Sequence, residues 1–360
     1  MEASVPSISF PVIRGLQAKR EYYVAMWTLR ILKKISIFDE DELPPEMRAQ
    51  RTLNRGRIPE MSNYVLDNPE DYTFSALTVS IDSEVVFDPL EGNDKLGVLH
   101  VPMEARFIIN DGQHRRAAIM AALEERPELA HETIAVVFFL DVGLERSQQM
   151  FADLNRHAIR PSRSLGLLYD HRNEKAKLAK LVVLQSAFFR DIIEKEKSSL
   201  SPRSRKLFTL SAFYNACGEL IQGVASGELA EDANTARTFW EEVAKQFPSW
   251  GQVREGAISA GEIRQGFIHS HGIALQALAR AGNSLLLTHP KSWEKKLKQL
   301  SEIDWSRSNP EWEGRAMHLG ALQKRTTNIQ LTANAVKNAL GLELSPEELE
   351  LEETFNASKQ

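Results

Sequence analysis

The period of hydrophobicity changes once along this 360-residue chain, near Asp141, and that change sets the architecture. Before it, short apolar runs of strand length alternate with helix-like stretches. Thr133 to Leu140 is almost continuously apolar, as a buried strand is. Phe74 to Ile81 and Arg106 to Asn110 also read as strands, and Tyr22 to Ile37 has aromatic and branched residues enough for one or two more. Helices are expected over Met47 to Asn54, from Pro59 to Leu66, over Arg115 to Arg126 (closed by Pro127), and over Gly143 to Asn155. Beyond Ser164 nearly every segment keeps helical spacing: Leu165 to Phe189, Lys206 to Gln222, Ala236 to Phe247, Gly272 to Ala281, Lys291 to Leu300 and Asn328 to Leu340. The expected fold is α+β: an α+β domain over residues 1–155, an all-helical domain over 156–340 and an acidic tail over 341–360.

Charge is unevenly spread. The formal net charge is −5. The tail from Gly341 holds six Glu and one Lys and reads as a solvated segment. Phe151 to Leu210 holds 13 Lys and Arg against six Asp and Glu. Such a stretch can present a basic face to a polyanion, or form a solvated helix surface. No apolar run approaches the roughly 20 residues that span a bilayer. The first ten residues lack a basic region followed by an apolar one. The expectation is a cytoplasmic protein with no membrane contact. The single cysteine, Cys217, excludes an internal disulfide and a thiol-rich metal cluster. It lies on an apolar helical face between Tyr214 and Leu220 and is expected in the core.

Asp111-Gly112-Gln113-His114-Arg115-Arg116 is the leading candidate site. A strand runs into a glycine turn and then a helix. Backbone N–H groups at a helix start favour an anion. Gly112 permits a sharp turn and close approach of a ligand. Asp111 can cap the helix, hold His114 or meet a ribose hydroxyl. His114, Arg115 and Arg116 add donors, and arginine can grip a phosphate with two parallel bonds. Three further basic groups are secondary candidates for DNA or another anion. The first runs from Asn155 to Arg172 with Arg156, His157, Arg160, Arg163, His171 and Arg172, where Ser162 follows Pro161 at a helix start. The second is Arg203, Arg205 and Lys206, and the third Arg48, Arg51, Arg55 and Arg57. Each can equally be a capped or exposed surface. His269 and His271, with Glu262, offer only one histidine pair, so no metal is expected. Trp305, Trp312 and Arg315 could stack bases but suit a core better. No Walker A run or Gly-x-Ser-x-Gly occurs, and no catalytic residue is assigned.

Asp111 to Arg115 reads as the signature of the DGQHR-domain proteins. Three more segments carry a finer resemblance: Glu42 to Arg55; Phe151-Ala152-Asp153-Leu154-Asn155-Arg156-His157 through Arg160-Pro161-Ser162 to Arg172; and Trp305-Ser306-Arg307 through Trp312-Glu313-Gly314-Arg315. Together they resemble the DndB family of bacterial DNA phosphorothioation systems. The resemblance implies a ParB/sulfiredoxin-like N-terminal domain, whose glycine turn binds nucleotide phosphates and whose site is closed by the segment after the last strand. It also implies a DNA-binding repressor of the modification operon, acting on promoter DNA, with other modification-system proteins and a second copy of itself as partners. Two alternatives accompany that reading: a switch that binds or hydrolyses ATP or CTP at the turn, and a non-catalytic scaffold. Sulfiredoxins carry a cysteine where this chain has Gln113. Thiol chemistry needs a thiolate, so sulfinic-acid reduction is excluded here.

Overall fold

The computed structural model describes residues 6–34, 54–140, 149–150, 152–154 and 161–358. The chain divides into two compact units, Met1–Ile159 and Arg160–Gln360. The class is mixed α+β, with the sheet in the first unit and helices dominating the second, as the two hydrophobic periods imply.

Seven strands build the sheet: β1 Ser7–Gln17, β2 Arg20–Thr28, β3 Leu77–Asp82, β4 Val86–Leu90, β5 Asn93–Pro102, β6 Arg106–Asp111 and β7 Thr133–Leu140. Their order is β4-β5-β1-β2-β7-β3-β6, and every neighbouring pair is antiparallel except β3 with β7. Alternate residues point to one face. There Phe10, Val12, Trp27, Phe107, Ile109 and Phe138 share a core with Val65 of α2 (Ile58–Asp67) and with Ile119 and Ala122 of α3 (Gln113–Glu125). Trp27 is its centre, with ring centroids 5.3, 5.7 and 5.1 Å from Phe10, Phe107 and Phe138.

Sequence and structure differ here in instructive ways. The sheet begins well before Tyr22, because β1 and β2 form a hairpin around Ala18 and Lys19 at φ 50° and 62°. Tight hairpins need positive φ, and the usual signal is Asn-Gly or Asp-Gly. This turn carries neither. After Thr28 the chain enters a short helix, α1 (Leu29–Lys34), rather than a further strand. β4 and β5 give no clear strand signal because their exposed ends mix charged and apolar residues. All of the expected helix over Met47–Asn54 except Asn54, which is extended, and most of the one over Gly143–Asn155 lie outside the described residues.

In the second unit the expected Leu165–Phe189 helix is three helices: α4 Arg163–Tyr169, α5 Glu174–Gln185 and α6 Ala187–Ile192. Asn173 and Ser186 cap the second and third by accepting from Ala176 and Phe189 N–H, so local capping overrides an apparently continuous period. There follow α7 Leu210–Leu220, α8 Leu229–Lys245, α9 Pro248–Glu255, α10 Ala260–Gly266, α11 Gly272–Thr288, α12 Trp293–Leu297, α13 Thr326–Ala339 and α14 Pro346–Ala357. Two ladders of two residues per strand interrupt the helices, Ile193–Glu194 with Phe208–Thr209 and Met317–His318 with Ala321–Leu322. Trp240, Trp250, Phe213 and Phe239 fill the core. Gly282 of α11 is required there, because a Cβ would stand 2.1 Å from the Phe239 ring.

The acidic segment after Gly341 is not a solvated tail. Ser345 and Glu348 form a reciprocal cap on α14, and Phe355 is buried. Glu352 takes both Arg315 nitrogens at 2.6 and 2.7 Å, and Glu348 takes Lys337 at 2.6 Å. Counting charge hid this, since the cations that hold the carboxylates lie well before them in sequence.

Candidate functional site

β6 ends at Asp111, and Gly112 turns the chain at φ 107° into α3. Only glycine adopts that conformation readily. Space demands it too, because a Cβ would stand 2.4 Å from Leu77 Cδ2 and 3.0 Å from Arg115 Nη2. The intrahelical ladder starts with Arg116 N–H donating to the Gly112 carbonyl at 2.9 Å. Gln113 Nε2 donates back to the Ile109 carbonyl at 3.3 Å, closing the turn onto the strand.

Asp111 neither caps the helix nor holds His114. Its Oδ2 accepts from Arg115 Nη2 at 2.7 Å, and Arg115 Nη1 donates to Ser75 Oγ. Asp111 ends β6 and Arg115 lies in the first turn of α3, so the Gly112 turn brings the two together. The Arg115 side chain is 15% exposed against 50% for Asp111. Arg115 is therefore largely a clamp between the turn and the segment before β3.

His114 does something the sequence could not show. Its Nε2 accepts from Asn54 N–H at 3.1 Å, which places the ring proton on Nδ1. This bond sets the Arg55–Arg57 turn against the first turn of α3. Asn54 caps that turn by accepting from Gly56 N–H at 3.2 Å. Arg55 and Arg57 are exposed, and Arg116 is half-buried. Two candidates far apart in sequence thus become one cationic helix start. Arg48 and Arg51 of the same basic group lie outside the described residues.

A family model described as DndB, DNA-sulfur modification-associated, matches residues 10–343. The chain belongs to the DndB family. Membership ties it to DNA phosphorothioation. No curated protein and no solved structure matches the chain.

In this DndB-family chain the described part of the Asn155–Arg172 group is partly tied to the protein itself. Ser162 caps α4, accepting from Leu165 N–H at 3.1 Å and donating to the Glu196 carbonyl. Arg163 Nη2 donates to Asn215 Oδ1 at 2.9 Å beside the Tyr214 ring. The Ser162 hydroxyl at that helix start is thus spent within the protein. Arg172 is exposed, its N–H donating to Asp170 Oδ1 at 2.9 Å, and His171 beside it is exposed too. Asn155, Arg156, His157 and Arg160 lie outside the described residues. Lys206 turns inward and donates to the Asp191 carbonyl at 2.5 Å, whereas Arg203 and Arg205 are exposed.

His269 and His271 are bound into the core. His269 Nδ1 accepts from Trp250 Nε1 at 3.0 Å, and burial pulls its pKa down to about 3. His271 Nε2 donates to the Arg264 carbonyl at 2.7 Å, and burial lowers its pKa to about 4. Among the described residues no three His, Cys, Asp or Glu side chains gather to hold a metal. Trp305 and Trp312 stack at 5.3 Å, both buried. Cys217 is buried, which raises its thiol pKa.

One array was invisible in the sequence. Ser9 Oγ lies 2.9 Å from His100 Nδ1, and His100 Nε2 lies 3.0 Å from Asp88 Oδ2. Ser9 and His100 are directly opposed in the β1–β5 register, and Asp88 belongs to the next strand. The register alone accounts for it, and only known strand pairing would have revealed it.

Proposed function

We propose that this DndB-family protein is a DNA-binding regulator that represses a phosphorothioation operon, its anion site being the helix start after Gly112. The observation that carries the reading is the convergence of exposed Arg55 and Arg57 on that helix start through the His114–Asn54 bond. Family membership supplies the DNA context. Arginine contacts to phosphates give sequence-independent, salt-dependent affinity. The arrangement also fits the ParB-like use of a glycine turn expected from the signature, with residues 1–155 as the site-bearing domain.

Gel-shift titration with the operon promoter at two salt concentrations tests it. Binding at low salt that weakens as salt rises is the expected result. No binding at low salt, or affinity indifferent to salt, overturns it. A second reading, a nucleotide switch taking ATP or CTP, is favoured by one feature: the cap residue of α3 is a glycine with no side chain to occupy the helix start. Isothermal titration with each nucleotide, against a His114→Ala/Arg115→Ala variant, decides it. Heat from the parent that the variant lacks supports the switch, and no heat from any nucleotide leaves the turn to DNA phosphate.

A further inference from the structure

We propose that the loop Pro202–Lys206 of the helical unit is a second, separate contact for the phosphodiester backbone, organised from inside by Arg264. This rests on the DNA-binding reading. The Arg264 guanidinium lies beneath the loop and donates to the carbonyls of Ser201 at 2.8 Å, Pro202 at 3.3 Å and Ser204 at 3.4 Å, and to that of Lys206. Four carbonyls of one short segment therefore turn inward on a single cation. Gly261 of α10 lets the loop sit this close, since a Cβ there would stand 2.4 Å from the Pro202 carbonyl oxygen. With these four acceptors turned in, the loop presents Arg203 and Arg205 outward.

The two outward arginines are uncommitted. Arg203 and Arg205 are exposed, and neither has a hydrogen-bond or ion-pair partner among the described residues. They border an open cleft of about 950 Å³, whose other wall is residues 253–262. Three carboxylates also line the cleft. Asp191 is paired with Arg254 at 3.0 Å, and Glu262 is engaged in the Ser259 cap. Glu255 is exposed. A single free phosphate is best held by donors that converge on one point. Two neighbouring arginines on the lip of an open cleft suit successive phosphates of a chain instead.

The experiment is a fluorescence-anisotropy titration of a labelled DNA duplex over a salt series, with parent, Arg203→Ala/Arg205→Ala, and a control, Lys295→Ala/Lys298→Ala, that removes the same charge from two exposed lysines elsewhere in the unit. The slope of log affinity against log salt should fall by roughly 1.8 in the arginine variant, about 0.9 for each phosphate that is no longer neutralised, on promoter and unrelated duplexes alike. The lysine control should leave it unchanged. An arginine variant with the parent's slope overturns this contact while leaving the operon-regulator reading standing. A parent that binds no duplex overturns both. Inorganic phosphate that displaces the duplex from the parent beyond chloride of equal ionic strength, an effect absent in the arginine variant, assigns the loop to free phosphate and overturns the backbone contact.

Discussion

Two helix starts in this chain look alike in sequence and differ in what the fold leaves over. Gly112 opens α3 beside His114, Arg115 and Arg116, and Ser162 opens α4 beside Arg163. At Ser162 the cap hydroxyl is turned onto the protein, and the neighbouring Arg163 gives one donor to Asn215. At Gly112 the cap has no side chain, one arginine is clamped to Asp111, and two arginines arrive from another segment and stay exposed. The difference teaches that a basic cluster is read by where the fold aims each side chain, inward at the protein or outward at solvent. The same contrast separates Arg264 and Arg315, which face inward, from Arg203 and Arg205, which face out.

The largest effect should come from an inward cation. Arg315→Ala leaves Glu352 without its partner at a position where both side chains are nearly buried, 11% and 12% exposed. It should lose about 3–5 kcal/mol in urea denaturation. Gly112→Ala should lose about 1–3 kcal/mol from positive φ alone, and contact with Leu77 adds to that. Promoter affinity should fall with it, and retained affinity would break the assignment of that helix start. Acid probes the inward histidines. His269 and His271 titrate below the unfolded value of about 6.5. The unfolded chain therefore takes up protons first, and stability complete above pH 6.5 is lost as pH falls toward about 3 for His269. His269→Gln, compared with parent by denaturation at pH 7.5 and 5.5, should remove about 1.4 kcal/mol of that acid loss. Ser162→Ala should lose about 1 kcal/mol of stability through the cap and nothing in DNA affinity. A drop in affinity would mean that this helix start binds after all. Arg55→Ala/Arg57→Ala should shift stability by no more than about 0.5 kcal/mol, while lowering the salt slope of DNA binding by roughly 1.8.

The division into sheet unit and helical unit was legible because apolar period is a local property. Thr133–Leu140, the strand ending at Asp111 and the helix from Ile58 all stand near where their patterns put them. The β1–β2 hairpin was not legible, since Ala18 and Lys19 hold positive φ without the residues that normally signal it. The site was half legible. Glycine, histidine and arginine in one turn announced it, and Arg55 and Arg57 stand out as a separate basic group. What no spacing rule reveals is the bond from Asn54 N–H to the His114 ring, or that Asp111 is occupied by Arg115. Those are contacts between segments, and so is the carbonyl cage around Arg264.

The strand order has a consequence in time. β7 pairs with β2 on one side and β3 on the other, so it joins the β4-β5-β1-β2 block to the β3–β6 pair that carries the Gly112 turn. It is also the last strand of the sheet to leave the ribosome. β1 must wait for β5, with Ser7 opposite Pro102, and the two blocks must wait for Thr133–Leu140. Pairings this distant in sequence slow folding, because the loop is closed before the contacts reward it. Until that strand arrives, β2 and β3 each keep an unpaired edge, the kind of surface that invites association with other chains during synthesis.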